Sequence, residues 1–315
     1  MRKYRKYRNE IKEFARVRME QTPNNTQIAR DIKNKFSINE DVENLRWTVV
    51  KWRKSWKIKA KKLPIKRLFF DIETSYIQYR RWKFGGDKYV NPDMIIRDSE
   101  IICISYKWQH DDKVHTLDWR IGEKKMLKAF VKIMAEADEI IGHNGDRFDL
   151  KELRTRCIYH GVLMYPTYRT LDTLRKSRQY FNFSSNRLNY IGRFLNIGEK
   201  IDTGGIQLWI DVVENKSVKA LENMIKYCER DVILLEDAYF VLSPFITHNN
   251  NFAVLTGGEK WECPECASSN VEMYRYYTTR LGVVRREMKC NSCKKQYKVS
   301  NKTYMDMLTS VVNRD

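Results

Sequence analysis

The sequence predicts an α/β protein: a mixed sheet flanked by helices, with a basic helical arm before it and a small cysteine-stapled module after it. Three observations carry this. Apolar strand patterns come early in the middle of the chain and are followed by a helix, another strand and further helices. Basic residues crowd the ends. Residues 1–67 hold 21 Lys and Arg against 7 Asp and Glu, a net +14, whereas residues 68–255 carry +1 and residues 256–315 carry +4, out of +19 for the chain. Two CxxC pairs, Cys263–Cys266 and Cys290–Cys293, lie in the last segment. Residues 1–62, 63–250 and 256–315 therefore read as three domains.

Composition narrows the function classes. Hydrophobic residues make up 42% of the chain, enough for a core, and mean hydropathy is −0.63. No apolar run is long enough to span a bilayer. The opening MRKYRKYRNEIKEF lacks the apolar segment of a secretory signal. An intracellular protein, cytoplasmic or nucleoid-associated, is expected, and no membrane partner. The seven cysteines fit metal binding plus reduced core thiols. A near-neutral middle between basic flanks suggests a catalytic core with polyanion-binding arms rather than a generally basic surface, so nucleic acid is the expected partner.

The elements follow in order. Residues 1–20 form a basic arm, frayed or helical. Asn25 or Thr26 can cap a helix over TQIARDIKNKF, whose Ile28, Ala29, Ile32 and Phe36 recur on one face. Ser37 to Asn39 reads as a turn, and Glu40 to about Lys57 as a second helix with Leu45, Val49, Trp52 and Trp56 along it. The pair resembles a helix-turn-helix DNA-binding unit. Trp47, Trp52 and Trp56 are expected in its core. Residues 60–64 form a linker, IKRLFFDIE a strand, and residues 76–98 an irregular aromatic-basic stretch. IICISYKW (101–108) reads as a buried strand and KVHTLDW (113–119) as an alternating one, joined at His110, Asp111 and Asp112. Residues 123–136 read as a helix, Ile140 to Gly142 as a short strand, Arg147 to Tyr159 as a helix capped by Asp146, and Ser185 to Leu195 as a helix. Lys216 to Val241 is a long helical stretch that could break near its middle.

Three acidic motifs stand in fixed order: FFDIET at Phe69 to Thr74, HNGDRFD at His143 to Asp149, and YCERD at Tyr227 to Asp231. They supply Asp71, Glu73, Asp149 and Asp231. Asp71 and Glu73 sit two apart on a strand and share a face. Tyr227 lies one helical turn before Asp231. Four gathered carboxylates repel one another unless cations hold them, and two divalent ions are suited to phosphoryl chemistry. Singly each motif is weak, since DxE is common on strands and YxxxD is an ordinary helix surface pair.

As an ordered set, FDIET, HNxxxFD and YCxxD resemble the three exonuclease motifs of the DnaQ-like (DEDD) 3′–5′ exonuclease superfamily. The wording is closest to family B DNA polymerase proofreading domains and stand-alone exonucleases related to them. SNRLNYIGRFLNIGEK (185–200) is similar to the segment such proteins carry between the second and third motifs. The resemblance spans about residues 65–243. It implies a ribonuclease H-like core, metal ligation of two Mg2+ or Mn2+ ions by Asp71, Glu73, Asp149 and Asp231, and a tyrosine-subclass site in which Tyr227 orients the nucleophilic water. Thr74, Asn144 and Phe148 fall where such enzymes hold the terminal nucleotide, although Phe148 also reads as a core aromatic. Lys200 would reach the scissile phosphate or be solvated. Nearby polar residues have plainer readings: Asp172 as a cap or ion-pair partner, Asp202 as a turn residue, and His143 as structural.

Cys263, Cys266, Cys290 and Cys293 suit one tetrahedral structural Zn2+, since about sixty residues with few aliphatics need a metal to hold a fold. VEMYRYYTTR, VVRREMKC and KKQYKV read as strands around them, and the whole resembles a zinc ribbon. Arg275, Arg280, Arg285, Arg286 and Lys289 interleave with Tyr274, Tyr276 and Tyr277 in a pattern suited to nucleic acid.

The expected activity is metal-dependent 3′–5′ exonuclease hydrolysis of nucleic acid, DNA more than RNA, releasing nucleoside 5′-monophosphates. Proofreading for a polymerase, or a role beside replication or recombination proteins, would be supplied in trans. Arms of this kind would fit a virus or mobile element. A structure- or site-specific endonuclease with the same metals, and a DNA-binding protein without catalysis, are the alternatives.

Overall fold

The computed structural model describes Tyr7 and residues 9–21, 25–56, 65–81, 91–109 and 111–312. The linker at 60–64, His110 and residues 82–90 of the aromatic-basic stretch lie outside these residues. The chain divides into two compact units, residues 66–246 and residues 1–65 with 247–315. None of the described helices is long and apolar enough to cross a membrane.

Among the described residues the N-terminal part forms three helices: α1 (Asn9–Gln21), α2 (Asn25–Phe36) and α3 (Val42–Trp56). Each buries residues at helical spacing: Ile11, Ala15 and Met19, then Ile28, Ala29 and Ile32, then Leu45, Val49 and Trp52. Ser37, at φ +48°, makes the turn after α2, and the Asp41 carboxylate accepts the Glu43 amide at 2.9 Å at the start of α3. Trp52 is buried and Trp56 stacks on it at 5.2 Å. Trp47 is not in this core. It is 52% exposed and lies under the Arg46 guanidinium, because its position faces away from the Leu45–Val49–Trp52 stripe.

The unit 66–246 is the mixed sheet that the sequence predicts. Its elements are β1 (Arg67–Thr74), β2 (Gln78–Tyr79), β3 (Ile95–Arg97), β4 (Ile101–Trp108), β5 (His115–Asp118), α4 (Glu123–Ala135), β6 (Glu139–Gly142), α5 (Asp149–His160), β7 (Thr170–Asp172), α6 (Thr173–Tyr180), α7 (Leu188–Phe194), α8 (Ile206–Val213) and α9 (Val218–Leu242). Five strands form one sheet in the order β5-β4-β1-β6-β7. The β5–β4 and β4–β1 pairs are antiparallel and the β1–β6 and β6–β7 pairs parallel. The period of two along β1 sorts its residues. Leu68, Phe70 and Ile72 pack with Phe130 of α4 and Leu153 of α5, while Phe69 packs with Val232, Leu235 and Tyr239 of α9. Asp71 and Glu73 continue the Phe69 face and so point to the α9 side.

Several boundaries differ from expectation. The helix expected from Arg147 starts at Asp149, and no side chain caps it, so Asp146 is not its cap. Residues 145–148 instead form a turn whose Asn144 carbonyl accepts the Phe148 amide at 3.0 Å. The helix expected from Ser185 starts at Leu188, and α9 runs 25 residues without a break. The strand expected at 113–119 covers only His115–Asp118.

In the other unit, α10 (Phe252–Leu255) precedes β8 (Val271–Thr278), β9 (Val284–Cys290) and β10 (Gln296–Ser300), an antiparallel sheet, and α11 (Asn301–Val312) closes the segment. Trp261, Met288, Val299 and Met307 form a small core.

Candidate functional site

The acids come from three elements. Asp71 and Glu73 end β1, where the β1–β4 register shifts between Glu73 and Thr74. Asp149 opens α5, is 5% exposed, and accepts the Ile72 amide at 3.3 Å. That reach needs a tight turn before it: a side-chain carbon on Gly142 would lie 3.1 Å from the Gly145 Cα, and one on Gly145 would lie 3.2 Å from the Gly142 Cα. Asp231 comes from α9 and is 1% exposed.

Burial raises the proton affinity of all four, and neighbouring carboxylates add to it at Asp71 and Glu73. Burial, then the charges of Asp149, Glu73 and Asp231, holds the Asp71 carboxyl well above the ordinary range. Burial and Asp231 push Glu73 up to about 8. Burial raises Asp149 to about 7 despite backbone hydrogen bonds that favour its charge, and burial raises Asp231 too. One cation from the chain offsets part of this. The Lys200 ammonium pairs with Asp231 Oδ2 and donates to the Tyr227 hydroxyl at 3.2 Å. Burial alone would lower its pKa, but Asp231 beside it holds it above the usual lysine value. Asp231 Oδ1 is buried without a hydrogen-bond partner among the described residues. A buried carboxylate oxygen left bare, among acids of raised pKa, fits a site for hard divalent cations.

Lys200 is placed by a turn that requires glycine. Gly198 has φ +129°, and a side-chain carbon on it would sit 2.1 Å from the Arg230 guanidinium. Arg230 Nε donates to the Glu199 carbonyl, and the Lys200 amide donates to Asn189 Oδ1, both at 2.9 Å. Tyr227 lies edge-on to Trp209 at 6.3 Å, and Trp209 Nε1 donates to the Thr74 carbonyl at 3.1 Å. Burial and Asp231 push the Tyr227 hydroxyl up to about 12, so it stays protonated at neutral pH.

A cavity of about 700 Å3 opens beside Asp71 and Lys200 and is also lined by Asn144, Arg178, Asn186 and Arg187. Asn144 reaches it from a left-handed backbone conformation, φ +73°, which Asn tolerates better than most residues, and its amide donates to Asp172 Oδ1 at 3.0 Å. Asp172 also caps α6 through the Arg175 amide, the plain reading given to it. Asp202 serves a turn through the Gly204 amide. His143 bridges Thr173 Oγ1 and the Asn186 carbonyl at 2.9 Å each, and burial lowers its pKa to about 4, so it is a neutral structural group. Phe148 is 42% exposed and so is not a core aromatic.

Sequence reasoning missed Cys228, Trp209, Asn189 and Arg178. Cys228 Sγ lies 3.7 Å from Asp71 Oδ2, and it joins Asp71 and Glu73 in a cluster whose potential ligand atoms lie within 4.8 Å of one another. Burial keeps this thiol protonated, and a soft sulfur suits Mg2+ or Mn2+ less well than carboxylate oxygens do. Its place in YCERD was the available signal.

The four cysteines of the C-terminal segment also converge. Their sulfurs lie within 4.8 Å of one another, with Cys263 to Cys293 at 3.5 Å and Cys266 to Cys290 at 3.6 Å. None of the seven cysteines is in a disulfide. Tetrahedral thiolates around Zn2+ at about 2.3 Å stand about 3.8 Å apart, so the set fits that ion.

Comparison with known proteins bears on the core. Residues 97–242 match the family model RNase_H_2 of the RNase H superfamily. A DNA polymerase of Thermococcus litoralis is 35% identical over 108 residues, 31% of this chain and 6% of that protein. The chain thus spans a small part of its relative. The solved family B DNA polymerase of the hyperthermophilic archaeon Pyrobaculum calidifontis aligns with 62% of this chain and 26% of its own, with a TM-score of 0.45 and 15% identity. The match to the RNase H superfamily model falls within the core, whose mixed five-stranded sheet with flanking helices is consistent with that fold.

Proposed function

We propose that residues 66–246 hydrolyse nucleic acid, DNA in the first instance, from the 3′ end and release nucleoside 5′-monophosphates. The observation that carries this reading is the convergence of Asp71, Glu73, Asp149 and Asp231 with a bare buried oxygen on Asp231. The RNase H superfamily match and the polymerase relative support a nuclease. The order of the motifs supports 3′–5′ polarity.

Two divalent ions, Mg2+ or Mn2+, held by the four carboxylates would activate the attacking water and stabilise the leaving 3′ oxygen. The residues of the chain do the rest. Tyr227, protonated at neutral pH, orients the water by hydrogen bonding and does not take its proton. Lys200 stays charged and offers an N–H to the scissile phosphate. Asn144 and Thr74 flank the terminal nucleotide, and the exposed ring of Phe148 is available to stack on a base. Arg286 over Tyr276 at 5.0 Å offers a sequence-independent contact on the proposed zinc ribbon at 256–315.

The test is a gel assay on 5′-labelled linear DNA and RNA, with free or blocked 3′ ends, and on circular single-stranded DNA. Each is run with Mg2+, Mn2+ or EDTA, for wild type and Asp71→Ala. Metal-dependent laddering of free 3′ ends only, lost in the variant, is the expected result. Cutting of circles would replace the proposal with an endonuclease, and binding without cutting with a DNA-binding protein.

A further inference from the structure

We infer that Arg175 and Arg178 of α6, with Arg147 just before α5, form a phosphate track that holds a single strand as it leaves the acid site. This rests on the nuclease reading and adds the path of the substrate to it.

The cavity beside Asp71 does not end at Asn144. A second cavity of about 370 Å3 shares Asn144, Leu174 and Arg178 with it and is further lined by Arg147 and Arg175. The two make one groove, running from Asp71 and Lys200 past Asn144 and Arg178 to Arg147 and Arg175. Those guanidiniums are exposed, and among the described residues none of the three forms an ion pair within 4 Å. Four other arginines of the unit are ion-paired: Arg67 to Glu139, Arg97 to Glu100, Arg120 to Asp118 and Arg156 to Glu123. Two carboxylates do line the second cavity, Asp146 and Asp172. Asp172 spends one oxygen on the Asn144 and Arg175 amides and acts as a cap. Neither neutralises an arginine.

Arg175 and Arg178 stand three apart on one helix, where like charges repel. An uncompensated set of planar cations along a groove leading to a candidate phosphodiester-cleaving centre matches the backbone of a single strand. The terminal nucleotide occupies the larger cavity, and the phosphates behind it follow the arginines.

The test compares wild type with Arg175→Ala/Arg178→Ala on a twelve-nucleotide oligothymidylate. The double variant should raise KM at least tenfold and leave kcat within about threefold. The slope of log kcat/KM against log salt should shrink by about 1.4, at about 0.7 for each phosphate that the variant no longer neutralises. Arg175→Lys/Arg178→Lys should recover most of the slope, and Lys124→Ala/Lys125→Ala on α4 should match wild type. If the double variant loses its fold by circular dichroism, Arg178→Ala alone is used, with half the slope change expected. Unchanged KM and slope in an enzyme that cuts, and that Asp71→Ala inactivates, would overturn the track and leave the nuclease reading intact. If wild type cuts nothing, the nuclease reading fails by itself, and fluorescence anisotropy of the labelled oligonucleotide decides the track by the same slope: a shallower slope in the double variant supports it, no change overturns it.

Discussion

Replacing Asp149 by Asn should stabilise the metal-free protein at alkaline pH while it disables the site. Asparagine keeps the oxygen that accepts the Ile72 amide and removes the charge. A carboxyl lifted from 3.8 to about 7 weakens the fold, once ionised, by about 4 kcal/mol, at about 1.4 kcal/mol per tenfold change in proton affinity. Burial is the main cause of the shift, and the surroundings relax partly around a buried charge, so about 2 kcal/mol is the working figure. That corresponds to a rise of about 4–8 °C in Tm for a domain of this size. The sign follows from linkage. A folded-state pKa above the unfolded value means that wild type gains stability as pH falls from about 8 toward 4, and loses it on the way up. The advantage of the variant is therefore full near pH 8–9, shrinks as pH falls through about 7 toward 4, and is gone only below both pKa values. His143, lowered to about 4, costs both proteins stability as pH falls below 6.5 and cancels in the comparison. Melts in EDTA from pH 5 to 9 measure the difference. Magnesium should then stabilise wild type, by about 2.7 kcal/mol at a hundred times Kd, and the variant less. Equal melting of the two proteins at pH 8.5 in EDTA, or a wild type indifferent to pH and Mg2+, would refute the argument that the fold buries the Asp149 charge at a cost that a cation relieves.

Other outcomes follow from the same geometry. Tyr227→Phe should keep Mg2+-induced stabilisation and lower kcat by about 10²-fold, read by steady-state kinetics beside a calorimetric Mg2+ titration. Gly198→Ala forces a side chain into the Arg230 guanidinium at φ +129° and should cost about 1–3 kcal/mol in denaturant titration, with hydrolysis slowed because Lys200 moves with the turn. The purified chain should hold one zinc by elemental analysis, lost in Cys290→Ala along with amide protection across β8 to β10 in hydrogen exchange.

The sequence made the site more legible than the frame around it. Acids in three ordered motifs can be read because each stands in an apolar or patterned context, and the period of two alone puts Asp71 and Glu73 on one side. What escaped is what only pairing creates. β7 is three residues long and buries Leu171 because β6 lies beside it. α6, TLRKSRQY, is too polar to show an apolar face, yet it carries Arg175 and Arg178. Asp146 looked like a cap because carboxylates usually are, but the turn at 145–148 uses backbone groups instead. Cys228 read as an ordinary core thiol, since nothing local says which strand a helix will meet.

That last residue gives the fold a built-in sensor. Cys228 sits on α9 between Tyr227 and Asp231, is fully buried, and lies against the Asp71 backbone carbonyl at 3.5 Å. While α9 stays seated on β1, no alkylating reagent can reach that sulfur. Its modification rate, followed on its own peptide by mass spectrometry, counts the moments when the helix lifts and the acids part, which would make the breathing of the site measurable without any substrate.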